Sequence, residues 1–443
     1  MQNQGIRDAR SLGTPKLLVL GLQHMFAMFG ATVLVPALTG LSVSATLLFA
    51  GLGTLFFHFL TKGKVPAFLG SSFAYLAGYA AIAPNGEAAL LPYACVGVAA
   101  SGLLYLILAA LVRGFGANRV MRFFPPVVTG PIIICIGMTL ANSAINNCTG
   151  SWDIALVAII TVIVFNIWGK GMLRIIPILL GVLVSYVYAA VTGRVDFSGV
   201  ASAAWIGLPV KMENTVFSLI GNCDVNLLVT AIIAIMPIAF ATMIEHIGDI
   251  CAISSTVGAN FIADPGLHRT LLGDGLATSI ASLFGAPANT TYGENTGVLA
   301  LTRVYDPLVI RLAAVYAIIA SFCPKFAALV SAMPTGTIGG VSLILYGMIS
   351  AIGVRNLVEN RVDLAKSRNV IVVSLIISLA LGITFSAAGA ITFHVGEFTL
   401  NFSGLAVAAI VGIVVNAILP GKDYDFQNDY EYGKTTEDHG QML

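Results

Sequence analysis

Long apolar runs separated by short polar stretches fill the chain from Leu17 to Leu419. A run of roughly 17–25 apolar residues can cross a bilayer as a helix. The pattern predicts fourteen such segments, which are centred near Met28, Leu52, Tyr75, Leu103, Cys135, Ile160, Gly181, Ala234, Ser279, Val298, Ile318, Leu345, Leu375 and Ala409. Small and polar residues shorten or interrupt the segments around Tyr75, Ser279 and Val298. We therefore expect an all-α polytopic membrane protein in which some helices are broken.

The basic residues orient these predicted spans. An even number of spans places both termini on one side, and nearly all Lys and Arg residues fall on that side. Arg194, Lys211 and Lys325 fall clearly on the other. Basic residues concentrate in cytoplasmic loops, so both termini are expected in the cytoplasm. The first apolar run is long enough to remain as a span, so no cleavable signal peptide is expected.

Composition excludes several classes of protein. Of 443 residues, 57% are hydrophobic and 10% are charged, and the net charge is +1 with no Lys/Arg cluster that would suit nucleic acid. The chain has no phosphate-binding loop, dinucleotide motif, zinc-protease motif or catalytic-triad order, so an enzyme or an ATP-driven pump is not expected. Six scattered cysteines lack metal-ligand spacing, so neither a metal nor a cofactor is expected. A disulfide between Cys148 and Cys223 remains open.

The two halves of the chain echo each other. Two Pro-containing, Gly-containing segments lie about 210 residues apart, Phe124–Gly137 and Met333–Gly347. Two small, polar-interrupted segments, AFLGSSFAYL (67–76) and ANTTYGENTGVL (288–299), fall in the third and tenth spans. Because seven is odd, a second seven-span copy must be inverted in the membrane. Interrupted segments at matching positions of inverted halves indicate a transporter's binding site.

Glu294 is the acid of the tenth-span segment NTTYGENT (289–296). A carboxylate at membrane depth costs ~2.5–3.5 kcal/mol, so it is expected to face a cavity or a partner. Gly293 allows close approach of backbone to a ligand. A half-helix that begins there would turn its free N–H groups and positive dipole end to the cavity. The alternative is an external loop with a glycine turn.

The residues just before this half-helix favour an extended piece of backbone. Thr290 and Thr291 are β-branched, and unpaired backbone cannot face lipid. The natural partner is the matching segment Ser71–Phe73 of the third span. We therefore expect two short antiparallel strands in the broken third and tenth spans, which together frame one pocket.

Glu245 and Asp249 form a second acidic pair, in the sequence IEHIGDI. Their i, i+4 spacing places both on one helix face. Two carboxylates one turn apart in a low dielectric do not both ionise readily, so one is expected to hold a proton. A proton-coupled carrier needs such a group. The alternative is a helix end where both acids reach interfacial water, and His246 points away and is interpreted as a packing residue.

Other polar residues in or near the spans are assigned supporting roles. His24, Thr291 and Asn295 are candidates for supporting polar contacts. Asp274 is interpreted as an acid near a helix N-terminus, where it would suit the dipole. The DPGLHR segment (264–269) is expected to be a cytoplasmic loop that opens the ninth span.

Five motifs resemble the nucleobase–ascorbate transporter family, also called the second class of nucleobase:cation symporters. They are QHMFAMFGATVLVP (23–36), VPAFLGSSFA (65–74), EHIGD (245–249), DPGLHR (264–269) and NTTYGENTGV (289–298). The resemblance extends over about residues 16–420. The YGEN wording is similar to the uracil-permease branch of that family, whereas the xanthine and urate branches usually carry a different wording there.

The resemblance implies a fold of fourteen spans in two inverted seven-span repeats, within the plasma membrane of a bacterium. It implies a core domain of spans one to four and eight to eleven, a gate domain of the remaining spans, and a homodimer through the gate domains. The corresponding residues are 1–15 for the cytoplasmic N-terminus, 16–113 and 226–331 for the core domain, 120–192 and 334–420 for the gate domain, and 421–443 for a polar cytoplasmic tail.

The resemblance also implies the site and the function. Uracil would lie between Glu245 and Glu294, with main-chain N–H groups of Phe73 and Gly293 on its carbonyls and Tyr292 lining the site. Uracil has two N–H donors and two carbonyl acceptors, so carboxylates and backbone N–H groups complement it. The expected function is proton-coupled uracil uptake by alternating access, and the alternative is a purine or xanthine:cation symporter of the same fold.

One position departs from the best-known bacterial pattern of the family. Asp249 stands where that pattern has His, so the proton site is expected to be a pair of acids, Glu245 and Asp249. An anion transporter of the same architecture is a more distant alternative, because an anion site should prefer positive charge over two glutamates.

Overall fold

The computed structural model describes residues 5–395 and 398–421, and helices account for most of them. Strand β1 (Leu69–Ser71) and a 3-10 turn (Phe73–Tyr75) interrupt the third segment. The helices of the first half are α1 (Thr14–Thr39), α2 (Val43–Leu60), α3 (Leu76–Ile82), α4 (Leu91–Phe115), α5 (Ala117–Met121), α6 (Pro126–Cys148), α7 (Trp152–Trp168), α8 (Met172–Ile175) and α9 (Pro177–Val191), and a short helix α10 (Ser198–Ser202) follows.

The second half repeats the pattern, with strand β2 (Asn289–Thr291) in its third segment. Its helices are α11 (Val225–Ile235), α12 (Ala239–Val257), α13 (Leu267–Leu283), α14 (Gly293–Thr302), α15 (Pro307–Ser321), α16 (Pro324–Ser331), α17 (Thr335–Glu359), α18 (Ser367–Thr384) and α19 (Gly404–Ile418). A two-stranded hairpin, β3 (Ala390–Val395) and β4 (Phe398–Ser403), precedes the last helix.

Local sequence signals explain where several helices begin and end. The side chain of Ser42 accepts from the N–H of Ala45 at the start of α2, and Asp224 caps the start of α11. Gly40 ends α1 and Gly258 ends α12, each in the left-handed conformation that glycine adopts without strain.

The expected all-α polytopic class is confirmed. Within the described residues, seven helices are long and apolar enough to cross a membrane, with Val225–Val257 taken as one span. Helices α15 and α16 form a further pair bent by 88°. Each of the fourteen predicted centres lies in a helix or helical turn. Because several of these segments are shorter than a full span, the count of fourteen remains a prediction.

The two broken segments cross as predicted. β1 pairs antiparallel with β2 in the register Leu69↔Thr291, Gly70↔Thr290 and Ser71↔Asn289. Side chains of neighbouring helices occupy the outer edges of this pair. The Thr54 hydroxyl accepts from Leu69 N at 2.9 Å, and the Thr278 hydroxyl donates to Asn289 O at 2.6 Å. The backbone is thereby paired inside the protein, as membrane depth requires.

The helices pack with an internal symmetry that exchanges the two halves. α4 packs on α13, and correspondingly α15 packs on α2. α7 packs on α17, and α18 packs on α6. The most extensive contact joins α6 to its counterpart α17. This exchange is what two inverted repeats produce.

Glycines bring α6 and α17 into backbone contact. A Cβ on Gly137 would lie 2.2 Å from Tyr346 O, and one on Gly353 would lie 2.7 Å from Gly130 O. Small residues permit this close packing in membrane helices, where van der Waals contact replaces the hydrophobic driving force. The two proline–glycine segments singled out in the sequence therefore form one interface.

Two features of the second half differ from expectation or settle an open point. The β3–β4 hairpin was not predicted, although apolar and polar positions alternate between Ile391 and Phe402, which is typical of strands. All six cysteines are free, with Cys148 buried and Cys223 exposed, so the disulfide left open does not form. The predicted tail lies outside the described residues except for Gly421.

The N-terminal peptide adds one more backbone contact on the predicted cytoplasmic side. Ile6 N donates to Arg303 O at 2.7 Å, and Tyr305 N donates to Ile6 O at 2.8 Å. The Arg7 guanidinium donates to Val257 O at 3.0 Å, at the end of α12. The peptide thereby links the ends of α12 and α14.

We expect Gly137→Ala to lower stability by about 1–3 kcal/mol, because its Cβ meets backbone that cannot move away. Gly347→Ala is the matched control on α17, where a Cβ meets nothing within 4 Å. That substitution should be neutral or slightly stabilising, since alanine favours helix over glycine. Thermal unfolding of the purified proteins in detergent distinguishes the two, and equal midpoints would contradict the assigned interface.

Candidate functional site

Three half-buried carboxyl groups converge on the broken tenth segment. Glu245 and Asp249 lie on α12, and Glu294 lies in the first turn of α14, which follows β2. The Thr291 hydroxyl donates to Asp249 Oδ2 at 2.7 Å. The charges of Glu245 and Glu294 are close enough to interact. The structure thus brings together the acids that the sequence analysis placed on two separate helices.

Tyr292 holds the crossing of the strands from one side. Its hydroxyl donates to Ser71 O at 2.8 Å, and its backbone N donates to Phe68 O at 3.0 Å. A Cβ on Gly70 would lie 2.5 Å from the ring carbon Cζ of Tyr292. Glycine at position 70 is therefore required for the ring to pack on the strand. Tyr292 itself is buried, so its ring lies beneath the crossing.

Both half-helices start without a side-chain cap. Ser72 precedes the turn that begins at Phe73, and Tyr292 precedes α14, which begins at Gly293, and neither side chain accepts a hydrogen bond there. Helix N-termini carry N–H groups that need acceptors and a partial positive charge. Gly293 is exposed, and the Phe73 ring contacts the Tyr346 ring of α17 edge-on with centroids 6.0 Å apart.

The predicted supporting residues His24 and Asn295 contact each other. Asn295 Nδ2 donates to His24 O at 3.1 Å and lies 3.2 Å from His24 Nδ1. Both side chains are buried. This contact fixes α14 against α1, so His24 acts on the orientation of the half-helix that carries Glu294.

A buried charged pair was missed in the sequence. Asp274 is not at a helix N-terminus as expected, because α13 begins at Leu267 and places Asp274 well inside the helix. His246 Nδ1 lies 3.1 Å from Asp274 Oδ2, and both side chains are completely buried. Acids buried this deeply occur with a partner. The signal available in the sequence was the pair of polar residues in apolar runs, but nothing in their spacing matched them.

The aromatic surroundings of this pair complete its burial. The rings of Phe57 and Tyr105 meet the His246 imidazole edge-on, with centroids 6.3 and 6.5 Å away. Because His246 neighbours Glu245 on α12, its contact with α13 sets the rotation of α12. That rotation decides which way the acids of the opposite face point.

The DPGLHR segment lies at the end of α13, away from these acids. Arg269 Nη1 donates to Leu60 O at 3.1 Å at the end of α2. Lys64 forms an ion pair with Asp264 and holds the pKa of that carboxyl below its usual value. The segment therefore ties two helix ends together. Across the described parts of the chain, no group of three His, Cys, Asp or Glu side chains is placed to hold a metal.

Comparison of the sequence with known families and proteins gives consistent matches. The xanthine/uracil permease model, described as the Permease family, matches residues 15–389. The chain is 42% identical to the uracil permease of Bacillus caldolyticus over 437 residues, covering 96% of each chain. It is 40% identical to the uracil permease of Bacillus subtilis over 451 residues, covering 99% of this chain and 98% of the relative. Identity to the uracil permease of Escherichia coli K12 is 37% over 410 residues, covering 90% of each.

Solved structures similar to this one include two anion transporters. The transmembrane domain of the cyanobacterial bicarbonate transporter BicA matches with a TM-score of 0.59 and 12% identity, covering 94% of this chain and all of that one. The structure of SLC26A9 matches with a TM-score of 0.62 and 12% identity, covering 92% of this chain and 66% of that one. At this identity the likeness shows the fold alone.

We expect Asp274→Leu and His246→Leu each to lower stability by about 3–5 kcal/mol, because each leaves a polar partner buried alone. The double variant should recover much of that loss, since apolar residues can replace a buried pair. A double-mutant cycle by thermal unfolding measures this coupling.

The exposed ion pair between Arg355 and Glu359 provides the control for this cycle. Its coupling should stay below about 1 kcal/mol, as for other exposed pairs. Additive losses at His246 and Asp274 would show that the two side chains do not depend on each other.

Proposed function

This chain belongs to the Permease family, and from that premise we propose that it takes up uracil across the bacterial plasma membrane together with protons. The chain is thus a membrane transporter and not an enzyme. Relatives about 40% identical over nearly their whole length carry the name uracil permease, which supports uracil as the substrate.

The observation that carries the proposal is the meeting of acids and helix ends at the strand crossing. Glu245 and Glu294 supply acceptors for two N–H donors, and the N–H groups at Phe73 and Gly293 supply donors for two carbonyls. Uracil carries this complement of groups on one flat ring. Tyr292 and the paired strands hold the two halves of the site together.

In this proposal, residues 16–113 and 226–331 form a core that moves against a gate formed by 120–192 and 334–420. The edge-on contact of Phe73 with Tyr346 lies on the boundary of these two groups. The glycine-packed pair α6 and α17 belongs wholly to the gate, which gives it a rigid spine. A homodimer through the gates and cytoplasmic termini are part of the same proposal.

Protons enter the proposal through Glu245 and Asp249. They are one turn apart on α12, and the carboxyl of Glu294 faces them. Three acids in one partly buried site are mutually repulsive when all are ionised, so uptake of a proton accompanies occupation of the site. Release of the proton on the cytoplasmic side then favours release of the substrate.

The competing function is a purine or xanthine:cation symporter of the same fold, which the xanthine/uracil family name supports equally. An anion transporter has support only from the fold of BicA and SLC26A9. An anion would meet Glu245, Asp249 and Glu294, and their charge opposes it. Acidic rather than basic side chains at the crossing therefore favour a neutral nucleobase.

Thermal stabilisation by a panel of nucleobases at two pH values tests this proposal directly. We expect uracil to raise the unfolding midpoint, and xanthine and bicarbonate to leave it unchanged at equal concentration. Uptake of radiolabelled uracil, competed by xanthine in equal excess, provides the transport readout. Stabilisation by xanthine in place of uracil would assign the competing function.

Glu294→Gln should raise the Kd for uracil by about 10- to 150-fold, because a charge-assisted hydrogen bond contributes about 1.5–3 kcal/mol. Glu213→Gln, on the exposed outer segment, is the control and should bind as wild type does. Isothermal titration of the purified protein measures both constants. Wild-type affinity in Glu294→Gln would remove Glu294 from the site.

Gly293→Ala tests whether the ligand approaches the backbone. The fold accepts this methyl group, since its nearest neighbour would be Asp249 Oδ1 at 3.9 Å. A loss of uracil affinity of about 10-fold or more with an unchanged unfolding midpoint is expected, because the methyl group occupies the ligand's place. Gly297→Ala, one turn along α14 with nothing within 4 Å, should leave binding unchanged.

A further inference from the structure

The two carboxyl oxygens of Asp249 lie in different surroundings. Oδ2 accepts the hydrogen bond of the Thr291 hydroxyl at 2.7 Å. Oδ1 is turned toward Gly293, where it lies 3.9 Å from the position of a Cβ on that residue. One oxygen is therefore engaged by the strand β2, and the other borders the exposed start of α14.

Thr291 is itself held firmly. It pairs with Leu69 in the strand crossing and is 2% exposed, and the next residue, Tyr292, donates its N–H to Phe68 O. Its side chain therefore has a fixed direction. The hydroxyl is a small, uncharged donor that is set by the backbone of both broken segments.

The charged groups that face Asp249 are acidic. Glu245 comes from the same helix, Glu294 from α14 and Asp274 from α13, where His246 contacts Asp274. Within residues 5–395 and 398–421, the ion pairs do not include Asp249. The Thr291 hydroxyl is thus the donor that orients this carboxyl in surroundings of like charge.

We infer that Thr291 is a positioning residue that reserves Asp249 Oδ1 for the transported proton. The inference rests on the proposed function and deepens it. With Oδ2 occupied as an acceptor, a proton arriving from water binds to Oδ1, and the O–H formed there points to the space beside Gly293. It donates to a carbonyl of the nucleobase, and the same proton returns to water when the substrate leaves.

Threonine at this position allows a matched set of substitutions. Thr291→Val keeps the shape and removes the donor, while Thr291→Ser keeps the donor. Thr290→Val is the control, because Thr290 is equally buried in β2 and its hydroxyl has no hydrogen-bond partner among the described residues. All three keep the branched or small side chain that a strand tolerates.

Binding of uracil is measured by isothermal titration at one acidic and one alkaline pH. We expect Thr291→Val to raise the Kd about 2- to 10-fold at the acidic pH, where the carboxyl holds its proton. Its loss at the alkaline pH should be smaller, so the pH dependence flattens. Thr291→Ser and Thr290→Val should keep the wild-type pH profile. A wild-type profile in Thr291→Val, or the same flattening in Thr290→Val, overturns the inference.

A second measurement needs no ligand and separates this inference from the proposed function. Infrared difference spectroscopy follows the C=O band of a protonated carboxyl, assigned to Asp249 by its loss in Asp249→Asn. Loss of the hydrogen bond in Thr291→Val should shift this band, and Thr290→Val should not. An unshifted band overturns the role of Thr291. Absence of uracil binding in the wild type, with the band shifted, overturns the uracil assignment alone.

Discussion

Backbone groups at membrane depth must be paired inside the protein, and the arrangement of this site follows from that requirement. Two helices are interrupted at β1 and β2, and each strand is the partner that the other needs. The outer edges are taken by the side chains of Thr54 and Thr278, which lie on α2 and α13. The crossing therefore determines where both half-helices start. The carboxyl of Glu294 and the N–H groups of the helix ends meet because of it.

The helices around the crossing are held by two different kinds of contact. Glycines join α6 and α17 backbone to backbone, which gives a close and apolar interface. Polar pairs hold the helices next to the site, with His246 against Asp274 and Asn295 against His24. Polar pairs are directional, so they define the rotation of a helix as well as its distance. The acids on α12 and α14 need that rotational definition, whereas the glycine interface provides stiffness.

Much of this arrangement was predictable because polar residues are rare in apolar runs. Gly293, Glu294 and the adjacent threonines marked the broken span, and the similar segment near Ser71 indicated its partner. The contact of His246 with Asp274 could not be predicted, since the i, i+4 rule reports neighbours on one helix and says nothing of a second helix. The β3–β4 hairpin was missed for another reason. Its alternation between Ile391 and Phe402 lay in a region interpreted by hydrophobicity alone.

The strand crossing also imposes an order on biosynthesis. Asn289 follows its partner Ser71 by more than two hundred residues, which corresponds to roughly ten to forty seconds of translation. During that interval β1 has no partner strand, although its segment has already entered the membrane. The nascent first half must shelter this edge from lipid, through Thr54, retained water or the insertion machinery. Topology is therefore completed in time by the tenth segment, and neither half is a finished unit when it is synthesised alone.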